Sequence, residues 1–240
     1  MLGAFMYGCL YVFLGALRWL RILRWEVEGL DNLPPRQQGG IVLAMNHISW
    51  VDIPAIGELL PFAYRLSWFA KSELFANPIA AWWFRQMQVI PVKRGKRDLQ
   101  AMDAVVDALK DGAVVLIFPE GTRSRSGVLQ EGRGGAIRLA IQAGVPLVPL
   151  TINGTQHGLS HKPVLLRIGE PFTVAPTANG KMPPEQMEQL TNDLMRRIAA
   201  MLPPEQRGQY GPLLEETEVR SQKAEDRSEE SEVTRQKISP

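Results

Sequence analysis

His47 and Asp52 are the residues of this chain whose types and spacing most directly suggest chemistry. They belong to the run Asn46-His47-Ile48-Ser49-Trp50-Val51-Asp52, which follows an apolar stretch at 41–45. A neutral imidazole can take up a proton near pH 7. A carboxylate on its other ring nitrogen fixes the tautomer and stabilises the charged ring. On a regular helix a spacing of five separates two side chains by about 140°. The pair therefore meets only if a turn precedes the helix. Pro54 fits a helix that starts near Ile53, so a strand–turn–helix corner would return Asp52 to the ring. The competing reading makes Asp52 a helix cap and His47 an ordinary turn residue.

A second polar cluster, Phe118-Pro119-Glu120-Gly121-Thr122-Arg123-Ser124, leaves another apolar run. Gly121 permits a positive φ or a close backbone approach. The Arg123 guanidinium suits phosphate or carboxylate, and Thr122 and Ser124 add hydroxyls. Glu120 is placed to accept a hydrogen bond from a substrate hydroxyl. Such a loop reads as a cradle for an anion and a polyol, or as a polar turn closed by an internal Glu–Arg pair.

These clusters need a scaffold. Apolar, β-branched runs at 41–45, 66–70, 89–92, 113–118, 147–152 and 164–168 read as strands. Helical patterns cover 53–60, 78–87, 98–110, 135–143 and 184–201, with Asp98 as an N-cap and Asp111-Gly112 as a stop. The alternation indicates an α/β sheet with parallel pairing. In such sheets ligands sit beyond the C-terminal ends of strands, where both polar clusters fall.

The ends of the chain read differently. Residues 1–17 carry no charge, and Arg18, Arg21 and Arg24 follow before the first acid, Glu26. On a helix these arginines share one sector. Six of the eighteen aromatics lie in residues 1–25. Arginines and aromatics beside an apolar run suit a membrane interface. The stretch is marginal for crossing a bilayer, which takes about 20 apolar residues, so it either spans or lies in one leaflet. If it spans, the arginines place the rest of the chain in the cytoplasm. The division expected is a membrane-associated helix at 1–25, an α/β domain at 26–204 and a disordered, charged tail at 205–240.

Composition narrows the function. The chain has 240 residues and a net charge of +2, but residues 1–204 hold 21 basic and 16 acidic side chains. That mild excess suits an anionic partner and falls short of a nucleic-acid binder. A single cysteine, Cys9, excludes an intrachain disulfide framework and a cysteine zinc site. His157 and His161 have no accompanying ligand set, so no metal site is expected. Neither a phosphate-binding G-x-x-x-x-G-K-[ST] loop nor a G-x-S-x-G elbow is present.

Together the clusters resemble the glycerolipid acyltransferase family, best known from 1-acyl-glycerol-3-phosphate acyltransferases. Its H-x4-D element is matched by His47 through Asp52, with Asn46 and Ser49 as companions. Its F-P-E-G-T-R-S element is matched by 118–124 without substitution. Residues 71–74 and 89–94 resemble a second motif and 145–150 a fourth, so the likeness covers about 25–175. Met87 or Gln88 stands where a glycine is usual, Lys93 where an acid is frequent, and Gly134-Gly135 where lysine-glycine is common.

The resemblance implies a mixed, largely parallel sheet flanked by helices, like that of glycerol-3-phosphate acyltransferases, with a membrane-associated N-terminal helix. It implies acyl transfer from acyl-CoA or acyl carrier protein to the sn-2 hydroxyl of lysophosphatidic acid. His47 would be the base and Asp52 its orienter, with no acyl-enzyme and no bound cofactor. Glu120, Gly121, Thr122 and Arg123 would hold the glycerol phosphate, with Arg94 as a second phosphate contact. Asn46, Ser49, Lys71 and Ser124 would support them. The partners implied are the lysolipid, the thioester and the cytoplasmic face of a membrane. Another lysolipid, glycerol 3-phosphate, or a noncatalytic lipid-binding role are the alternatives.

Overall fold

The computed structural model describes residues 2–86, 89–92, 99–175 and 182–211. Helix α1 (Leu2–Trp19) precedes strand β1 (Trp25–Glu28) and strand β2 (Ile41–Met45). Then follow α2 (Asp52–Leu59), β3 (Leu66–Lys71), α3 (Pro78–Gln86), β4 (Val89–Val92), α4 (Leu99–Lys110) and β5 (Val114–Ile117). The chain closes with α5 (Gly135–Ala143), β6 (Leu147–Asn153), β7 (Val164–Ile168) and α6 (Pro184–Ala200).

The seven strands form one sheet in the order β1-β7-β6-β2-β5-β3-β4. Pairings β6–β2, β2–β5, β5–β3 and β3–β4 are parallel. Strand β7 is antiparallel to β6, and β1 is parallel to β7. The sheet is thus mixed and largely parallel, as expected. Strand β2 lies at its centre and is buried along its whole length, which is why it reads as an unbroken apolar run.

Side chains of β2 alternate between two cores. Ile41, Leu43 and Met45 pack with Leu14 of α1 and Ala55, Ile56 and Leu59 of α2. Val42 and Ala44 face Val105 and Leu109 of α4, Ile137 and Ala140 of α5, and Leu194 and Ile198 of α6. Three layers result, with β2 holding the middle.

Helix α1 is bound to α2 by polar contacts as well. The Tyr7 hydroxyl donates to the Gly57 carbonyl at 2.9 Å. Burial pushes that hydroxyl up to about 12, so it remains a donor. Arg18 reaches the buried Glu58 carboxylate at 3.0 Å. The opposite side of α1 is apolar and exposed, with Phe5, Val12 and Phe13 each more than half accessible. No described helix is long and apolar enough to cross a membrane.

Three expectations are corrected. Helix α1 stops at Trp19, so Arg18, Arg21 and Arg24 do not share a helical sector. The stop is a Schellman turn: Ile22 N–H donates to the Leu17 carbonyl and Arg21 N–H to that of Arg18, both at 2.9 Å. Next, Trp25–Glu28 forms an edge strand that the sequence pattern did not reveal. Finally, residues 205–211, assigned to a disordered tail, are folded. The Leu129 N–H donates to the Gln206 carbonyl at 2.8 Å, and the Gly132 N–H to the Tyr210 hydroxyl at 3.0 Å. Asp98, proposed as an N-cap, lies outside the described residues.

Candidate active site

The turn between β2 and α2 brings His47 and Asp52 together. Asp52 is the first residue of α2, and its side chain reaches back over the turn. Asp52 Oδ2 lies 2.7 Å from His47 Nδ1. The same oxygen accepts the backbone N–H groups of Ile48 at 2.7 Å and Ser49 at 2.9 Å. An ionised carboxylate oxygen held by two amides only accepts, so Nδ1 completes the set as a third donor. The imidazole lone pair then resides on Nε2, where a base needs it. The His47 side chain is 15% exposed and that of Asp52 fully buried. A substrate can therefore reach the ring without reaching the acid.

Asp52 Oδ1 accepts the Thr155 hydroxyl at 2.5 Å. Thr155 stands just after β6, in a turn that opens with Gly154 at φ 96°. A Cβ at Gly154 would meet the Pro163 carbonyl oxygen, so glycine lets the chain turn there. Thr155 escaped the sequence reading because its partner, Asp52, lies 103 residues away and nothing local ties the two together. Its signal was a hydroxyl just past the C-terminal end of a central strand.

Asn46 and Ser49 organise the turn. The Asn46 amide donates to the Ile152 carbonyl at 2.9 Å and accepts the Ile152 N–H at 2.8 Å. That pair welds the end of β2 to the end of β6. The Ser49 hydroxyl accepts the Val51 N–H at 3.3 Å.

The loop after β5 grips His47 from the other side. Phe118 stacks on the imidazole, with centroids 3.8 Å apart and planes 15° from parallel. Glu120 Oε1 accepts the His47 N–H at 2.7 Å, and Oε2 accepts the Gln130 N–H at 2.9 Å. The Ser124 N–H donates to the His47 carbonyl at 2.7 Å, and its hydroxyl to the Val128 carbonyl at 2.7 Å. Both backbone groups of His47 are thus held by this loop. Glu120 is 2% exposed. Burial raises its carboxyl above the usual range, against the lowering effect of its two amide partners. The expectation of a substrate-holding Glu120 is corrected: both its oxygens are engaged with backbone amides and it faces inward.

Gly121 takes φ 70°, so the loop bends sharply and leaves Thr122 and Arg123 exposed. The Arg133 guanidinium lies against Gly121, where an added Cβ would be 3.3 Å from it. Arg133 was assigned no role from the sequence. Here it faces the same turn as Arg123 and doubles the positive charge beside the site. Lys71 ends β3, beside β5 and at the same edge of the sheet, but its side chain is outside the described residues, and so is all of Arg94. His157 and His161 lie in exposed positions after β6, and no cluster of three metal-binding side chains occurs among the described residues.

The arrangement can hold a basic nitrogen at the sheet edge, an acid behind it and two arginines nearby. Trp50, 57% exposed, and Ile53, 41% exposed, give it an apolar rim.

Residues 24–153 match the acyltransferase family model. A 1-acyl-sn-glycerol-3-phosphate acyltransferase of Bacillus subtilis is 32% identical over 178 residues, covering 72% of this chain and 85% of its own. The chloroplastic 1-acyl-sn-glycerol-3-phosphate acyltransferase BAT2 of Brassica napus is 34% identical over 132 residues, or 54% of this chain. The match spans only 37% of that plant protein. Among solved structures, the 1-acyl-sn-glycerophosphate acyltransferase PlsC of Thermotoga maritima superposes with a TM-score of 0.59 at 25% identity. It covers 81% of this chain and 79% of its own.

Proposed function

The chain belongs to the acyltransferase family, and from that membership we propose that it acylates the sn-2 hydroxyl of lysophosphatidic acid, yielding phosphatidic acid. The observation that carries the reading is the His47–Asp52 contact at 2.7 Å with Nε2 left available.

In the step proposed, the lysolipid hydroxyl donates its proton to His47 Nε2 as its oxygen attacks the thioester carbonyl. An oxygen–carbon bond forms and the carbon–sulfur bond breaks. The sulfur leaves as thiolate and takes the proton back from the imidazolium, restoring His47. Asp52 keeps the ring oriented and offsets its transient charge. The hydroxyl is itself the nucleophile, so no acyl-enzyme is needed. General base catalysis of this kind contributes about 10²–10⁴-fold.

We assign the phosphate to Arg123, Thr122 and Arg133, with Arg94 beside them. Positioning of the lysolipid against His47 accounts for much of the remaining acceleration. The acyl chain is assigned to a largely apolar recess lined by Ile79, Trp82, Trp83 and Phe84 of α3, with Glu73 and Asn77 at its side. The donor is an acyl-CoA or an acyl carrier protein. The exposed apolar side of α1 rests in one leaflet, on the cytoplasmic face, so the enzyme meets its acceptor within the bilayer plane.

Transfer of a labelled acyl group to lysophosphatidic acid tests this reading. Acyl-CoA and acyl carrier protein would be supplied separately, to wild type and to folded His47→Ala. Transfer by wild type alone supports the mechanism. Near-normal turnover by His47→Ala would sink it.

A further inference from the structure

The Schellman turn that ends α1 holds an unusual residue. The position that glycine normally fills is occupied by Arg21, at φ 58°. It is the only non-glycine residue with positive φ among those described. A left-handed conformation is strained for an L-residue, and such strain tends to gather at ligand clamps and similar sites.

The turn closes on a surface recess lined by Arg18, Arg21, Arg24, Trp25 and Glu26, among others. Arg18 is committed to Glu58. Among the described residues, Arg21 and Arg24 have no carboxylate within ion-pair distance, so two exposed guanidiniums face one acid, Glu26. Trp25 is 2% exposed, and its Nε1–H finds no acceptor among the described residues. Buried donors are normally paired. Between the arginines, Trp19, Leu20 and Ile22 project outward at 82%, 56% and 43% exposure. Apolar side chains interleaved with unpaired arginines match a bilayer surface, where tails and phosphates alternate with depth.

Strand register fixes where this recess lies. Trp25 pairs with Val164 at the start of β7, whose Leu165 faces Asn153 at the end of β6. Met45 pairs with Leu150, so Trp25 is level with the turn that carries His47. Three strand spacings separate β1 from β2, roughly 14 Å. The recess and the catalytic turn therefore open at the same edge of the sheet, as separate sites.

We propose that Arg21 and Arg24 bind the phosphate of an anionic bilayer phospholipid, distinct from the reacting lysolipid, and so set the catalytic turn towards the membrane. This rests on the reading of α1 as a membrane-docked helix. Flotation with vesicles, after detergent removal, tests the two separately. Phosphatidylcholine vesicles report the apolar face of α1. Vesicles with one third phosphatidylglycerol report the arginines.

The wild type should bind the anionic vesicles about thirtyfold more tightly, from two arginines near a charged surface. The double variant Arg21→Gly, Arg24→Gln should lose that preference and keep its binding to neutral vesicles. Glycine suits the left-handed position better than arginine, so thermal unfolding should show no loss of stability. A preference that survives in the double variant would overturn the proposal, as would a wild type with none. Absence of binding to neutral vesicles alone would instead overturn the apolar docking of α1. Millimolar inorganic phosphate, at constant ionic strength, should leave the preference intact. If it abolishes the preference, the recess serves a free anion and the lipid assignment falls.

Discussion

Glu120 holds His47 by its backbone: the carboxylate accepts the histidine N–H at 2.7 Å. The acid of one polar cluster therefore positions the histidine of the other, across 73 residues of sequence. Its second oxygen takes the Gln130 N–H, which ties the far end of the same loop to the site. On the proposed mechanism, a buried acid used in this way acts on the reaction through His47, and its loss should read as misplacement of the ring.

Glu120→Gln is the sharpest probe of that bridge. Glutamine keeps one carbonyl oxygen but turns an NH2 group toward an amide that can only donate. Leaving a buried donor unpaired costs about 1–3 kcal/mol. The variant should unfold at lower denaturant and lose at least about tenfold in kcat, because a small displacement of a catalytic group is costly. KM for the lysolipid should change little, whereas a substrate-holding role would show mainly in KM.

Burial of Glu120 also makes a pH prediction. Its carboxyl is raised above 4.5 in the folded chain, so the native state binds the proton more tightly than the unfolded state. That contribution is complete below the unfolded value and fades as pH climbs through the raised one. Wild-type stability should therefore include a component that falls over a window opening near 4.5. Denaturant titrations at several pH values should show it, and Glu120→Gln should lack it. Identical pH profiles for the two proteins would contradict the burial argument.

Thr155 gives a second route to the same ring. Thr155→Val removes the only hydroxyl on Asp52 Oδ1 among the described residues and leaves a buried carboxylate oxygen short of a donor. Second-layer partners of this sort are worth about 10–100-fold in metal sites, and a similar loss in kcat is expected here. Thr155→Ser, which keeps the hydroxyl, should recover most of it. Equal loss in both variants would mean that the methyl packing matters and the hydrogen bond does not.

How much of this could be read along the chain depended on range. Strand β2 and the turn after it were legible because an apolar run, a glycine-free polar turn and Pro54 are local signals. Helix α5 was legible at its observed bounds, Gly135–Ala143, because its apolar spacing is also a local signal. Strand β1 was not: four residues with two glutamates become a strand only through pairing with β7, about 140 residues later. The 205–211 segment looked like tail because its anchors are backbone groups at Leu129 and Gly132, which carry no sequence signal. Glu120 was misassigned because a buried acid satisfied by amides and an exposed acid facing substrate are the same letter.

Arg123 and Arg133 make a prediction with the opposite signature to Glu120. Both are exposed, so truncation should leave stability within about 0.5 kcal/mol of wild type. Arg123→Ala and Arg133→Ala should each raise KM for lysophosphatidic acid, with KM for the thioester unchanged. A charge-assisted contact contributes about 1.5–3 kcal/mol, or roughly ten- to a hundredfold in KM. An unaltered KM in Arg133→Ala would remove that residue from the phosphate site.

The proposed membrane face of α1 needs a test that spares its other face. Deleting the helix would take Leu14 and Tyr7 out of the packing against α2 and strip Arg18 from Glu58, which is 5% exposed. A buried acid left without its partner destabilises the fold, so a soluble but damaged protein would prove little. Substituting the outward residues avoids this. Val12→Ser, Phe13→Ser and Trp19→Ser replace side chains at 68%, 59% and 82% exposure. Together they should leave the unfolding midpoint within a few degrees of wild type and move the protein from the membrane to the soluble fraction. Each buried apolar side chain lost to lipid removes about 1.5–3 kcal/mol, so three should suffice. A triple variant that stays with the membrane would place the anchor on α3 instead, where Ile79, Trp82 and Trp83 are the next exposed apolar group.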